Sequence, residues 1–121
     1  MPQIAALSIY VDDLERAVTF YTELLGFAVR GRPAPVIVEL DHDSPALVLC
    51  QAERPTRNGY PDGTGTVIGV ATDDVASAAK SLRARGAELL FDDPQDFPGG
   101  KFIAVRDPSG NVIELLQFGE S

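Results

Sequence analysis

One histidine and one cysteine set narrow limits on the chemistry of this chain. A site that needs two histidine ligands from one chain is excluded, and a Cys-His or Ser-His triad would have to be built around His42. Cys50 has no second cysteine for an internal disulfide or for a cysteine-rich zinc site. His42 stands in the run DHDSP over residues 41–45, which is typical of a turn. We interpret His42 as a solvent-exposed turn residue and Cys50 as a small buried apolar residue.

A glutamate inside an apolar strand is the most informative polar residue in the sequence. Glu114 interrupts the run VIELL over residues 112–116. A carboxylate that faces an apolar cavity resists ionisation unless it is paired or hydrogen-bonded. Such a group can act as a general base, or as an anchor for a cationic or hydroxyl-bearing ligand. The alternative is a structural glutamate that is hydrogen-bonded to a neighbouring side chain or to water.

The apolar pattern predicts eight strands and two helices. The strands are predicted over residues 4–11, 27–30, 36–40, 46–50, 66–72, 88–91, 101–106 and 111–118. The first helix follows a cap at Asp12 or Asp13, and the second follows Asp73-Asp74. Gly26 and Gly86 are expected to end them in a left-handed conformation. Turns are expected at 33–35, 41–45 and 107–110, and the stretches 52–64 and 92–100 are expected to be irregular.

The two halves of the chain repeat this order of elements. VDDL at 11–14 aligns with TDDV at 72–75, and ALVLC at 46–50 aligns with VIELL at 112–116. The repeat predicts one α+β domain of two βαβββ modules, with module one at 1–51, a linker at 52–64 and module two at 65–121. Each module buries one sheet face under its own helix, so function is expected on the opposite face.

Composition excludes several classes of partner. The chain has 121 residues, of which 45% are hydrophobic and 23% charged, and a formal net charge of -8. This acidic surface argues against nucleic acids and acidic membranes as partners. The sequence starts with Met1-Pro2-Gln3-Ile4 and shows no leader pattern and no long apolar run, so we expect a cytoplasmic location.

Two segments resemble a known superfamily. VDDLERAVTFYTELLGF at 11–27 and DPSGNVIELLQF at 107–118 resemble the vicinal oxygen chelate superfamily, which contains glyoxalases, bleomycin-resistance proteins and extradiol dioxygenases. The resemblance implies two βαβββ modules that form a curved mixed sheet, and it implies a homodimer. It does not select an activity, because this fold hosts enzymes and proteins that only bind antibiotics.

The resemblance also implies four positions at which metal-dependent members bind a divalent ion. In this sequence they are Ala6, Val48, Val67 and Glu114. Alanine and valine have no donor atoms, so we expect no metal and no other cofactor. Glu114 would then be a remnant of a metal site or a new functional group. An ion bound by Glu39 together with Glu114 is the alternative.

The resemblance and the alternation of side chains together predict a ligand cavity. Its expected lining is Ala6, Ser8, Tyr10, Val48, Cys50, Tyr60, Val67, Gly69, Phe97 and Glu114. We expect metal-independent binding of a small apolar or aromatic molecule, with sequestration of an antibiotic as its concrete form. The small residues have a second interpretation, which is close packing between the modules. The alternative function is a lyase, isomerase or dioxygenase-related enzyme in which Glu114 and Tyr10 are catalytic, or in which Glu114 is a metal ligand.

Overall fold

The structure, a computed structural model, describes residues 6–41, 46–57, 59–62 and 65–119. His42, the rest of the turn predicted at 42–45, and the first two residues of the first predicted strand lie outside these ranges. The elements are β1 (Ala6–Val11), α1 (Leu14–Thr19), a π-helical turn (Phe20–Leu24), β2 (Ala28–Ala34), β3 (Ile37–Asp41), β4 (Ala46–Gln51), β5 (Ile68–Ala71), α2 (Val75–Ala84), β6 (Glu88–Leu89), β7 (Gln95–Phe97), β8 (Gly100–Arg106) and β9 (Val112–Phe118). Neither helix in these ranges is long and apolar enough to span a lipid bilayer.

The chain divides into two units, residues 1–57 and 58–121, and each has its own mixed sheet. The strand order in the first unit is β1-β4-β3-β2, and in the second it is β5-β9-β8-β6 with β7 also paired to β8. In each unit the first strand of the chain order pairs in parallel with the last one, β1 with β4 and β5 with β9. The remaining strand pairs are antiparallel. The predicted α+β class is therefore confirmed.

Alternation along the strands buries one face of each sheet, because successive side chains point to opposite faces. In the first unit the buried strand residues are Ile9, Val11, Val38, Leu40, Leu47 and Leu49. In the second unit they include Ile103, Val105, Ile113 and Leu115. The helices contribute Leu14 and Ala17 from α1, and Val75, Ala79 and Leu82 from α2. Each unit thus has an apolar core between one helix and one sheet face.

The helix ends follow the sequence signals. The Asp13 side chain accepts a hydrogen bond from the backbone N–H three residues later, at 3.1 Å, and Asp74 does the same at 3.0 Å. These bonds satisfy N–H groups that have no partner within the helix. Gly26 and Gly86 have φ values of 88° and 82°, as expected for residues that end a helix in the left-handed region.

A glutamine at the end of each unit's last strand also contacts the start of its helix. The backbone N–H of Leu14 donates to Oε1 of Gln51 at 3.0 Å, and that of Val75 donates to Oε1 of Gln117 at 2.8 Å. Gln51 and Gln117 occupy equivalent positions in the repeat. The glutamines therefore link the first helical residue to a strand that lies 37 or 42 residues further along the chain.

Two local predictions were wrong, and the first helix, although present as predicted, has a change of geometry that was not predicted. The first helix changes from α to π geometry at Phe20, although Phe20 and Tyr21 are buried core residues as the apolar spacing predicts. β2 continues through Pro33, and the chain turns two residues later. An edge strand tolerates this proline because a missing outward N–H removes no ladder hydrogen bond. The stretch 92–100, predicted as irregular, contains β7, whose two polar residues hide the strand pattern.

Candidate functional site

Glu114 lies in the middle of β9, on the face of the sheet that does not pack under α2. Its neighbours across the ladders are Ala104 in β8 and Gly69 in β5. Alternation puts Phe102 and Leu116, which pair with each other, on the same face. The register follows from the turn at 107–110, since Arg106 pairs with Val112 directly beside it. The predicted position of Glu114 on this face therefore agrees with the structure.

Tyr60 supplies the hydrogen-bond partner of Glu114. Its phenolic O–H donates to Oε2 of the carboxylate, and both side chains are half-buried. Burial of the Tyr60 phenol, then the hydrogen bond to Glu114 and the negative charge of that carboxylate, raise the pKa of Tyr60 above its ordinary value of 10.0. The sequence predicted Tyr60 as a ligand-contacting aromatic residue, and the bond to Glu114 is a role that the sequence analysis missed.

The raised pKa of Tyr60 determines the sign of a pH effect. The bond to Glu114 stabilises the folded chain fully below the unfolded pKa of 10.0, and this stabilisation is lost as the pH rises through the folded pKa. We expect Tyr60→Phe to cost about 1 kcal/mol at neutral pH, because partial exposure screens a charged hydrogen bond. Above pH 10.0 the gap between wild type and variant should shrink. Urea unfolding over a pH series measures this gap.

Tyr10→Phe is the control for that experiment, because Tyr10 lies in the other unit and its side chain is 54% exposed. A constant gap between wild type and Tyr60→Phe across the alkaline range would contradict the assigned bond.

Five aromatic rings form a continuous series of edge-to-face contacts in the second unit. We call this series the aromatic row. In order of contact, its members are Tyr60, Phe91, Phe102, Phe97 and Phe118. Successive ring centroids are 6.5, 5.6, 6.0 and 5.7 Å apart, and the ring planes are inclined by 76° to 87°. Distances and angles of this kind are favourable for aromatic pairs. Phe118 at the end of the row remains 62% exposed.

Three members of the row, Phe91, Phe102 and Phe118, were not among the predicted site residues. The signal for Phe102 was present in the sequence: counting outward from the 107–110 turn pairs Ala104 with Glu114, and Phe102 is two residues before Ala104. Phe91 carried no such signal, because it follows β6 in a stretch with bends and no regular alternation.

The first unit brings together five of the predicted site residues. They are Ala6, Ser8 and Tyr10 in β1 and Val48 and Cys50 in β4. Ser8 pairs with Val48, and Tyr10 pairs with Cys50, so alternation places all five on the face opposite the core. Glu39 is the next residue across from Val48 and shares this face. The Glu39 carboxylate lies 3.9 Å from the Arg30 guanidinium.

The remaining predicted residues lie in the second unit. Phe97 belongs to β7 and to the aromatic row, and Val67 is half-buried just before β5. Gly69 pairs with Glu114, but the space that a side chain at Gly69 would occupy is already filled. A Cβ atom at Gly69 would lie 2.7 Å from Cδ1 of Leu116. The small size of Gly69 therefore accommodates the Leu116 side chain, which the sequence analysis did not foresee.

The four positions implied for a metal do not fit a divalent ion. Ala6, Val48 and Val67 end in hydrocarbon, and the fourth residue, Glu114, accepts a hydrogen bond from Tyr60. Across residues 6–41, 46–57, 59–62 and 65–119, no group of three His, Cys, Asp or Glu side chains is arranged to bind a metal. Binding of such an ion needs three or more donor atoms in a fixed geometry.

Glu114 and the turn that precedes β9 have different surroundings. The Asp107 carboxylate accepts hydrogen bonds from the backbone of Ser109 at 2.9 Å and of Asn111 at 2.8 Å, and from the Asn111 side-chain amide at 2.9 Å. Asp107 is 4% exposed. This buried carboxylate therefore has a structural role in the turn, whereas the half-buried Glu114 carboxylate accepts its hydrogen bond from the phenol of Tyr60.

Comparison with known proteins identifies one superfamily and several similar proteins. The profile of the Glyoxalase/Bleomycin resistance protein/Dioxygenase superfamily matches residues 3–115. A putative lactoylglutathione lyase from Brassica oleracea var. gemmifera is 30% identical over 118 residues, which are 90% of this chain and 42% of the relative. The chain thus spans about two fifths of the length of the plant relatives that it matches.

Two solved structures are similar over nearly the whole chain. TnmS3, an antibiotic binding protein from Streptomyces sp. CB03234, has a TM-score of 0.73 and 27% identity, with 98% of both chains covered. The trypanothione-dependent glyoxalase I of Leishmania major has a TM-score of 0.74 and 27% identity, with 97% of this chain and 87% of that chain covered. Since the profile match includes both halves of the repeat, the chain belongs to the Glyoxalase/Bleomycin resistance protein/Dioxygenase superfamily, as the resemblance of residues 11–27 and 107–118 predicted.

Proposed function

We propose that this protein binds a small, largely apolar or aromatic organic molecule without a metal ion. The observation that carries the proposal is the aromatic row beside a single hydrogen-bonded carboxylate, Glu114. Half-buried rings offer apolar surface and edges to a planar molecule, and one polar group orients it. Sequestration of an antibiotic is the concrete form that we favour, and similarity to an antibiotic binding protein supports it.

The proposal includes expectations that come from the sequence. Ser8 and Tyr10 would offer further polar groups to the ligand, and the protein would act as a homodimer in the cytoplasm. The net charge of -8 supports a small molecule, rather than nucleic acid or an acidic membrane, as the partner.

A thermal-shift screen of planar natural products in EDTA tests the proposal. We expect at least one compound to raise the melting temperature, because a ligand that binds only the folded state stabilises it. The chelator separates this result from metal-dependent binding. The absence of a shift with every planar compound would count heavily against the proposal.

Phe102→Ala should then weaken binding of the compound found in the screen by about tenfold or more, because Phe102 contacts two other rings of the row. Phe27→Ala is the matched control. Phe27 is also half-buried and also contacts an aromatic ring, that of Tyr21, but it lies in the first unit. Equal loss of affinity in both variants would contradict a binding role for the row.

Metal-free acid–base catalysis is the second candidate, and the contact between Tyr60 and Glu114 favours it. A carboxylate with a phenol beside it can take a proton from a substrate while the phenol donates a hydrogen bond. In this form of the proposal Glu114 is the base, with Tyr60 or the predicted Tyr10 as the second group. Similarity to a putative lactoylglutathione lyase makes that activity the first to assay.

Two measurements separate the candidates. If the protein is an enzyme of this kind, Glu114→Gln should abolish turnover and retain binding, since the amide cannot accept a proton. Elemental analysis of protein purified without chelator tests the remaining alternative, an ion bound by Glu39 with Glu114. A tightly bound metal near one per chain would overturn both metal-free candidates.

A further inference from the structure

The charge around Glu114 restricts the class of ligand further, if the proposed binding function is correct. In the second unit, the basic side chains that form described ion pairs do so away from Glu114. Lys101 lies 2.6 Å from the Asp96 carboxylate, and Arg106 lies 3.6 Å from that of Glu88. Within residues 59–62 and 65–119, no lysine or arginine forms an ion pair with Glu114. The partner of this carboxylate is a neutral phenol.

The two oxygens of the Glu114 carboxylate have different environments. Oε2 accepts the hydrogen bond from Tyr60, and this bond fixes the orientation of the carboxylate. In the same part of the chain, no described group donates to Oε1. Because Glu114 is only half-buried, Oε1 can accept a hydrogen bond from a ligand.

The rings next to this carboxylate favour positive charge. Tyr60 contacts Phe91, and Phe91 contacts Phe102, with ring planes at 76° and 87° to one another. The face of an aromatic ring attracts a cation that lies within about 6 Å of its centroid. The aromatic faces and the carboxylate therefore both attract a cationic ligand.

We infer that this site selects an organic cation: a protonated amine or amidine on a planar apolar frame. The N–H group of the cation donates to Oε1 of Glu114, and the frame packs against Phe91 and Phe102. Tyr60 is a positioning residue, since it orients the carboxylate through Oε2. The net charge of -8 also attracts cationic ligands before they bind.

A set of three planar tricyclic probes tests this inference. Proflavine is a cation at neutral pH, acridine is its uncharged parent, and anthracene-9-carboxylate is an anion. The chain has no tryptophan, so the fluorescence of the probes can be followed without tryptophan emission. We expect wild-type protein to bind proflavine about tenfold more tightly than acridine, which is the range of a partly solvated cation–π and carboxylate contact. The anion should bind least.

Two substitutions assign this preference to Glu114. Glu114→Gln should reduce the ratio between proflavine and acridine severalfold, because the isosteric amide removes the carboxylate charge and leaves the weaker attraction of the aromatic rings and of the remaining net charge. Glu53→Gln makes the same change in net charge at an exposed residue and should leave the ratio unchanged. A thermal melt of each variant checks that it is folded.

The outcomes distinguish this inference from the proposed function. If wild-type protein binds proflavine and acridine equally, selection of a cation is overturned. If Glu114→Gln retains the full preference, the assignment of that selection to Glu114 is overturned. Binding of aromatic molecules stands in both cases. If none of the three probes binds, the inference and the proposed function are both contradicted. The wild-type comparison needs no variant, so a folding defect in Glu114→Gln leaves the inference testable.

Discussion

Gly100→Ala is expected to destabilise the protein by about 3 kcal/mol or more, the largest effect of any single substitution considered. Gly100 has a φ of 154°, a conformation that residues with a Cβ rarely adopt. A Cβ atom there would also overlap the backbone carbonyl of Gln117 and lie 3.2 Å from the Cα of Phe118. These neighbours belong to the paired strand β9 and cannot move aside as a flexible side chain can. Thermal melting or urea unfolding measures the loss.

Two matched glycines separate the causes of that loss. Gly86 has a φ of 82°, but nothing lies within 4 Å of a Cβ built on it, so Gly86→Ala should show the cost of the backbone conformation alone, about 1 kcal/mol. Gly31 has open space and an ordinary φ, so Gly31→Ala should be close to neutral. A Gly100→Ala protein as stable as Gly31→Ala would contradict the pairing of Gly100 with Phe118.

Asp107→Ala is expected to cost about 3 kcal/mol, because it leaves buried N–H groups of the turn without an acceptor. Both backbone N–H groups that bond to Oδ1, those of Ser109 and Asn111, would lose their partner. Asp107→Asn keeps an oxygen at that position and should cost about 1 kcal/mol, since it changes mainly the bond from the Asn111 amide to Oδ2. Equilibrium unfolding in urea ranks the variants.

Asp41→Ala provides the control for this series, because Asp41 aligns with Asp107 in the repeat. Its carboxylate is 61% exposed and lies 4.0 Å from the Arg30 guanidinium. An exposed ion pair of this kind contributes little, so we expect a change below about 0.5 kcal/mol. Similar costs for Asp41→Ala and Asp107→Ala would show that the buried hydrogen bonds do not stabilise the turn.

Asp107 also affects the candidate site, because the 107–110 turn fixes the pairing of β8 with β9. In the observed register Ala104 pairs with Glu114, and Phe102 with Leu116. A slip of one residue would move Glu114 to the face under α2. We therefore expect a destabilised turn to weaken ligand binding along with stability.

Much of the fold could be predicted from the sequence because its signals are local and repeated. Asp13 and Asp74 precede apolar residues at helical spacing, and Gly26 and Gly86 end the two helices. The predictions that were wrong also have physical causes. Pro33 is a turn signal in most settings, and only its position on an edge strand makes it compatible with β2.

The candidate site was predictable only in part. The position of Glu114 follows from alternation and from counting residues outward from the 107–110 turn. Both the sheet face on which Glu114 lies and its strand register could therefore be predicted. The bond from Tyr60 was not, because Tyr60 lies 54 residues before Glu114 in a stretch without periodicity. Phe91 was missed for a related reason: its ring contacts depend on the path of the chain after β6, which no pattern in the sequence describes.

Gln51 and Gln117 have a consequence for how each unit selects its strand alignment. Alternation of apolar and polar side chains penalises a displacement by an odd number of residues, but it does not distinguish the native alignment from a displacement by two. A shift of β9 by two residues would carry the Gln117 amide about 7 Å from the Val75 N–H and leave that helix end without its acceptor. The glutamines thus discriminate against the even displacements that hydrophobic burial alone tolerates.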